Sequence, residues 1–352
     1  METIGMEPLN LATLPKYLSE EAAAWELLER LRWPEGKIVC PHCGVIDAAH
    51  YFIGARSGER KTRTGAITYR RLWRCRDCRK QFSVLVGTIF ESSKIPVSKW
   101  LLAMWMFNAG KNGVSALELQ RHLGIAYQSA WFMAHRLREG MTRKPLATLL
   151  TGAIVSAETR VGGAPKNRQV NHRVGSKQGL TDKTPVVALV DQETGKVRAR
   201  VVANVNAKNL TRVLAETCVP TETHLNTDES NVYTKLGRSL ASHGAVNCSA
   251  GEYVRDGIST NAAESFFSQF KRPPTTGTHQ NVSKEHLHRY ASDLEYRWNT
   301  SKMTNAERVQ TMVDGSVSKR LTYRPLITCL RGPHRPMRRP RAGTPTGRSD
   351  RP

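Results

Sequence analysis

The sequence predicts a multidomain α+β chain: a cysteine-knuckle module, a helical segment, and then an α/β core. Three observations carry this. Two Cys-x-x-Cys pairs, Cys40/Cys43 and Cys75/Cys78, enclose a 31-residue interval. Residues 97–141 show helical apolar spacing punctuated by glycines. From Gly152 to Trp298, strand-like runs precede helix-like ones. The expected divisions are a helical segment at 1–36, the knuckle module at 37–90 and helices over 91–147. The core follows over 148–303, then an extension ending in a basic tail over 304–352.

Composition narrows the function classes. The 352 residues leave room for two or three domains, and 53 Lys+Arg against 30 Asp+Glu give a net charge of +23. A charge that large suits a protein that tracks a polyanion, with nucleic acid the default candidate, and fits a small-molecule enzyme poorly. A membrane surface is the rival. It lacks a basic amphipathic helix or lipidation signal, and no apolar run approaches the roughly 20 residues of a spanning helix. The opening METIGMEPLN has no charged-then-apolar pattern, so a soluble, cytoplasmic chain is expected. Of seven cysteines, three (Cys218, Cys248, Cys329) are isolated and four are paired in knuckles. In a reducing compartment, that pattern favours metal over disulfide.

In chain order, Ser19 is expected to cap a helix running to about Leu31, with Glu20 and Glu21 in its first turn and Ala23, Leu27, Leu28 and Leu31 on one face. Trp33-Pro34-Glu35-Gly36 breaks it. Two knuckles on hairpins, holding one tetrahedral Zn²⁺ through Cys40, Cys43, Cys75 and Cys78, make a zinc ribbon. A redox pair or four unlinked thiols would not explain two matching knuckles. His42 and His50 are then solvated, because the cysteines already fill the site. Tyr69–Arg74 alternates like a strand. Arg74, Arg76 and Lys80, with Arg56, Arg60, Lys61, Arg63, Arg70, Arg71 and Arg79, offer a phosphate-contacting face, or simply a solvated one.

Trp100–Phe107 forms one apolar helix. Ser115–Leu123, Gly124 and a helix from Tyr127 to Leu137 then have helix-turn-helix spacing. Gln128, His135 and Arg136 are expected on or near the exposed, DNA-facing side of the second helix. An ordinary helical hairpin with a glycine turn is the alternative. Strands at Ala153–Thr159, Pro185–Asp191 and Lys196–Asn204, a helix at Lys208–Thr217 and a strand at Glu222–Thr227 give three antiparallel strands, a helix and a parallel strand. That is the opening order of the ribonuclease-H fold, the retroviral-integrase type of core. Helices at Asn261–Phe270 and from Ser283 to Trp298 follow. Val161–Thr184 is basic and glycine-rich, a mobile DNA-contacting loop in expectation. Arg331–Pro352, with seven arginines and five prolines against one acid, is expected to be a disordered nucleic-acid arm or a solubilising tail.

The candidate chemistry lies between Thr223 and Lys271. THLNTDES delivers Asp228 at a strand end, and STNAAESFFSQFKRPP carries Glu264 and Lys271 on one helical face, with Ala263, Phe266, Phe267 and Phe270 on the other. Two carboxylates brought together by the fold, plus a lysine, suit divalent-metal chemistry on a phosphate backbone. Mg²⁺ or Mn²⁺ prefers carboxylate oxygens, and two such ions activate the attacking oxygen and stabilise the leaving one. Local roles compete: Asn261 capping a helix with Glu264 as its capping-box partner, and Asp228 as a cap or turn residue.

Several motifs in register change that balance. They are Arg32-Trp-Pro-Glu-Gly36, Trp73-Arg-Cys-Arg-Asp-Cys-Arg-Lys-Gln-Phe82, Gly87-Thr-Ile-Phe90 to Lys99-Trp100, and Thr227-Asp228-Glu229. Further on come Thr260-Asn261 with Glu264, Lys271-Arg272, and Arg320-Leu-Thr-Tyr-Arg-Pro-Leu326. In these the chain resembles the IS1595-type (ISXO2-like) insertion-sequence transposases, to about Leu326. The resemblance implies a zinc ribbon and helix-turn-helix on the element's terminal inverted repeats, and a ribonuclease-H-like core that cuts and rejoins DNA with Mg²⁺. It also implies a homodimer or higher assembly on end and target DNA, in a bacterial, nucleoid-associated setting. Asp228 falls at the family's second acid and the Asn261/Glu264 segment at its third, with Glu264 favoured. Lys271 and Arg272 would meet DNA.

The chain departs from the family at the first acid. The family's Asp-Glu-Thr…Gly-Gly motif is here Ser156-Ala157-Glu158-Thr159…Gly162-Gly163, with alanine in place of Asp. Glu158 is adjacent, but neighbouring strand residues point to opposite faces. Ser259 replaces the usual His before Thr260. Two readings follow: a transposase impaired at its first acid, or a non-enzymatic, repressor-like DNA-binding derivative.

Overall fold

The computed structural model describes residues 10, 12–51, 58–61, 67–142, 149–162, 183–228, 233, 240–246, 254–255, 258–259, 261–276, 278–279 and 282–328. The expected loop at Val161–Thr184 and the tail from Arg331 lie almost wholly or wholly outside these residues.

Two helices open the described chain, α1 (Leu14–Ser19) and α2 (Glu21–Arg32). Ser19 is not the cap that the sequence suggests. Pro15, in the first turn of α1, favours an earlier start, and Asn10 Oδ1 accepts the Ala12 and Thr13 N–H groups just ahead of it. Ser19 therefore ends α1, its hydroxyl donating to Lys16 O at 3.1 Å. The cap position of α2 falls to Glu20, which makes no side-chain cap bond. The inner face of α2 buries Ala24, Trp25, Leu27, Leu28 and Leu31.

Five short strands follow: β1 (Ala49–Tyr51), β2 (Gly58–Lys61), β3 (Ile67–Arg70), β4 (Trp73–Cys75) and β5 (Gln81–Phe82). They form a β1-β4-β5 sheet and a separate β2-β3 hairpin. The strand expected over Tyr69–Arg74 is thus split at Arg71, whose guanidinium turns to α2 and pairs with Glu26 at 2.9 Å and Glu29 at 3.1 Å. Trp73 Nε1 donates to the same Glu29 at 2.9 Å, tying the cysteine module to α2.

Helices α3 (Val97–Ala109), α4 (Ala116–Leu123) and α5 (Tyr127–Met141) come next. Glu21 caps α3 from a distance, accepting the Val97 and Ser98 N–H groups at 2.5 and 3.2 Å. Ser115 and Glu118 form a capping box on α4, and Gly124 closes it in the left-handed region at φ 58°. Gly124, Ile125 and Ala126 alone separate α4 from α5.

The α/β core contains β6 (Leu150–Val161), β7 (Thr184–Asp191), β8 (Val197–Val201), α6 (Ala207–Thr217), β9 (Cys218–Asp228) and β10 (Ser242–Val246). Its sheet order is β10-β9-β6-β7-β8, antiparallel from β6 through β8 and parallel from β6 through β10. A two-residue pair, β11 (Val254–Arg255) and β12 (Ile258–Ser259), precedes α7 (Asn261–Thr276); α8 (Leu287–Asn299) and α9 (Asn305–Ser316) complete the set. One sheet face packs with α6 through Ile154, Val187, Leu189 and Leu225. The other packs with α7 and α8 through Val155, Val186, Ala188 and Val190 against Phe266, Phe270 and Leu287.

Strand β8 ends the sheet, and α8 covers its open edge. Glu295 accepts the Ala199 N–H at 3.0 Å and pairs with Arg198 and Arg200, while Asn299 exchanges two bonds with the Val197 backbone. An uncovered edge would invite pairing with another chain. A buried Arg138–Asp293–Arg297 cluster joins α8 to α5, at 3.1 and 2.7 Å. Burial opposes ionisation of Asp293, but the Arg297 and Arg138 guanidiniums outweigh it and hold its pKa low. Tyr296, Val309, Met312 and Val313 enter the same core as α2, α3 and α5.

That packing corrects one expectation. His135 is fully buried and Arg136 is 6% exposed, so neither is placed to meet DNA. Helices α8 and α9 cover the second half of α5, leaving Tyr127 and Gln128 in its first turn exposed. Arg136 donates to Glu91 O at 2.8 Å and lies over the Phe132 ring. His135 packs on Trp131 and His286, its two nitrogens having no hydrogen-bond partner among the described residues.

Burial, with Arg138, His286, Arg289 and His288 around it, pushes the His135 pKa down to about 2. The native state therefore keeps this ring neutral while the unfolded chain binds a proton below the ordinary value of 6.5. Stability is full above that pH and falls as pH drops, by about 1.4 kcal/mol per pH unit for this one proton. Urea unfolding at intervals from pH 7 to 5 should show a slope shallower by about one proton in His135→Phe than in the parent.

The second compact unit, Thr322–Pro352, contributes the helix α10 (Tyr323–Thr328) to the described residues. Among the described residues, no helix is long and apolar enough to cross a membrane.

Candidate functional site

The candidate residues fall in two places. The first is built by the knuckles. Cys40, Cys43, Cys75 and Cys78 place their sulfurs within 4.8 Å of one another. Cys40–Cys78 is 3.7 Å and Cys43–Cys75 is 3.6 Å. A tetrahedral Zn²⁺ with Zn–S of about 2.3 Å needs sulfurs about 3.8 Å apart, so the four thiols fit that ion. Neither His42 nor His50 belongs to the cluster.

The local backbone prepares the first knuckle. Burial alone would raise the Cys40 thiol, but the Cys43 and His42 N–H groups favour its thiolate and bring it to about 7. For Cys43 the Val45 N–H favours the thiolate, but the neighbouring thiols outweigh this and push it to about 12. Four thiols packed this closely cannot all ionise without a cation among them. Around the cluster, Arg76 and Lys80 are exposed and Arg74 is half-buried.

The second site lies where β6 and β9 run side by side. Ile154 is opposite Leu225 and Val155 opposite Asn226. Carried two residues further, this parallel register sets position 157 level with Asp228, the last residue of β9. Ala157 packs with the core under α7, which includes Val155, Ala263 and Phe266. Glu264, next to Ala263, is exposed on α7, as are Ser268 and Lys271. The helix opens on Asn261, three residues before Glu264. The side chains of Asp228 and Arg272 are outside the described set.

Glu158 belongs to the opposite side of the sheet. Tyr233 donates to Glu158 Oε1, and its hydroxyl lies 2.9 Å from Ser156 Oγ. Tyr233 is 1% exposed and packs in the core under α6. It went unnoticed in the sequence because TDESNVYTKL gives its single aromatic no period to stand on. Gln128 is exposed in the first turn of α5, beside Tyr127 at 46% exposure and near Arg121 and His122 on α4.

Comparison with known proteins agrees with this division. The family model described as the transposase zinc-ribbon domain matches residues 19–81. The ISXO2-like transposase domain matches residues 149–299, and the two together cover well over half of the chain. A relative from Halobacterium salinarum (strain ATCC 700922 / JCM 11081 / NRC-1), an uncharacterized protein in transposable element ISH50, is 26% identical over 314 residues, or 85% of this chain and 97% of the relative. A cryoEM structure of a simian T-cell lymphotropic virus intasome in complex with PP2A regulatory subunit B56 gamma is similar at 15% identity and a TM-score of 0.27, over 52% of this chain and 63% of that one. With its cysteine module and its α/β core matched by models of one family, the chain belongs to the IS1595 family of ISXO2-like transposases.

Proposed function

We propose that the chain binds the inverted-repeat ends of an insertion sequence as a transposase does, and that its cleavage centre is incomplete at Ala157. The observation that carries this is the β6–β9 register, which sets an alanine level with Asp228. The sheet order, with its antiparallel hairpins and parallel return, supports a ribonuclease-H-like core of the retroviral-integrase type.

In such a core, carboxylates on neighbouring strand ends and on α7 hold Mg²⁺ or Mn²⁺ against the scissile phosphate. Asp228 and Glu264 are the acids for that role, with Asn261 as the alternative third position and Lys271 and Arg272 beside the DNA. The residues present do not complete a two-metal centre. A methyl group offers no oxygen ligand, and Glu158, on the other face of the sheet, is bonded to Tyr233. Cutting and strand transfer are therefore impaired in this chain, and DNA binding is what it retains.

Binding rests on charge and on two elements. The basic zinc ribbon, through Arg74, Arg76 and Lys80, contacts phosphates. Helices α4 and α5 act as a helix-turn-helix in which the exposed first turn of α5, with Gln128, meets base edges. A homodimer or larger assembly on paired ends, in the bacterial cytoplasm, completes the reading. A repressor-like protein that never cleaves is the second reading, and Ala157 favours it equally.

Affinity for a duplex carrying the element's own end should fall steeply with salt. With six to ten phosphate contacts, the loss between 50 and 200 mM is about a thousandfold or more. A gel-shift series in KCl measures this, and a flat response would overturn the nucleic-acid reading.

A further inference from the structure

We propose that Tyr233 is a positioning residue for the cleavage centre, a clamp on the two residues of β6 that flank position 157. Asp228 ends β9, and Tyr233 lies five residues on. Its ring is sealed in the core under α6, among Ile154, Leu210, Leu214 and Leu225. Its hydroxyl reaches β6 at Ser156 and Glu158, one residue to either side of Ala157.

The hydrogens assign the directions. Tyr233 has one hydroxyl proton, which goes to Glu158 Oε1, so the Ser156 hydroxyl donates to Tyr233. A charged acceptor makes the first bond the stronger of the two. With Tyr233 at 1% and Ser156 at 2% exposure, water does not compete for the bond between them. Tyr233 thereby holds β6 from the face opposite Ala157, which packs toward α7. This explains why an ionisable residue beside position 157 does not serve as its substitute: Glu158 is the clamp's acceptor.

The role rests on the proposed reading of Asp228 and position 157 as metal-ligand positions, so its test uses the chain with that set restored. Mn²⁺ affinity is measured by calorimetry in Ala157→Asp, and in Ala157→Asp combined with Tyr233→Phe. Thermal melting and end-DNA gel shifts run in parallel. Phenylalanine fills the same space and loses both bonds. Mn²⁺ binding should weaken by about tenfold, the low end of the cost of losing a group bonded directly to a metal ligand, because Tyr233 acts one residue away from position 157. End-DNA affinity should be unchanged.

Equal Mn²⁺ affinity with and without the Tyr233 hydroxyl would overturn the clamp alone. No Mn²⁺ binding by Ala157→Asp itself would overturn the site, and the clamp with it. If Tyr233→Phe fails to fold, Ser156→Ala and Glu158→Gln each remove or weaken one of the two bonds. Glu158→Gln should then cost more Mn²⁺ affinity than Ser156→Ala, and the reverse order would contradict the clamp.

Discussion

Ala157→Asp is expected to raise cleavage of the element's end by about a hundredfold or more over the parent chain. The size follows from what the missing group does. A carboxylate at this position would share metal ions with Asp228, which the β6–β9 register sets level with it. Metal ions stabilise charge in such a transition state by several kcal/mol, and each 1.4 kcal/mol is a factor of ten in rate. The change should be tolerated structurally, because Ala157 is only partly buried, at the rim of the core under α7. A single-turnover assay on a labelled end, with Mg²⁺ and with Mn²⁺, reads the effect. Glu158→Asp should give no comparable gain, since that residue lies on the face opposite Ala157, bonded to Tyr233.

The second large effect concerns the knuckles. Removing the metal with a strong chelator, or replacing Cys75 by Ser, should unfold the module between Ile38 and Phe82. Its two small sheets have strands of two to four residues, too short to stand alone. Structural Zn²⁺ contributes about 10–16 kcal/mol of apparent binding energy in small zinc modules, more than such sheets can supply. Elemental analysis should give one Zn²⁺ per chain in the parent and none in Cys75→Ser. The module also packs on α2 through Arg71 and Trp73, so the melting of α2 and α3 should follow. End-DNA binding should weaken with it. Retention of the ribbon's fold and of DNA affinity without metal would contradict this account.

The elements legible in the sequence are those with local signatures. Two Cys-x-x-Cys pairs bring four sulfurs together because metal chemistry dictates their spacing. Ser115 with Glu118, then Gly124, mark the ends of α4 because capping is local. The strand order of the core follows from alternation and short turns, such as Asp191 accepting from Glu193 and Thr194 N–H groups. Helix α7 keeps its phenylalanines inside and Glu264, Ser268 and Lys271 outside, as an amphipathic pattern requires.

What the sequence hid depends on contacts between distant segments. His135 and Arg136 have helical spacing and polar chemistry, which suggest a surface. The helices that bury them come over a hundred residues later, and no local pattern announces that packing. Ser19 has the right chemistry for a cap, but Pro15 starts a helix before it. Tyr233 matters through bonds to Ser156 and Glu158, more than seventy residues away. The β6–β9 register, which carried two residues on sets Ala157 level with Asp228, is likewise tertiary, although the alanine itself is visible once the family motif is known.

The most direct test of the incomplete centre is the number of Mn²⁺ ions each chain holds. Calorimetric titration with end DNA bound should show two coupled ions in Ala157→Asp and, in the parent, at most one weak ion at Asp228 and Glu264. Two tight ions in the parent chain would contradict the account.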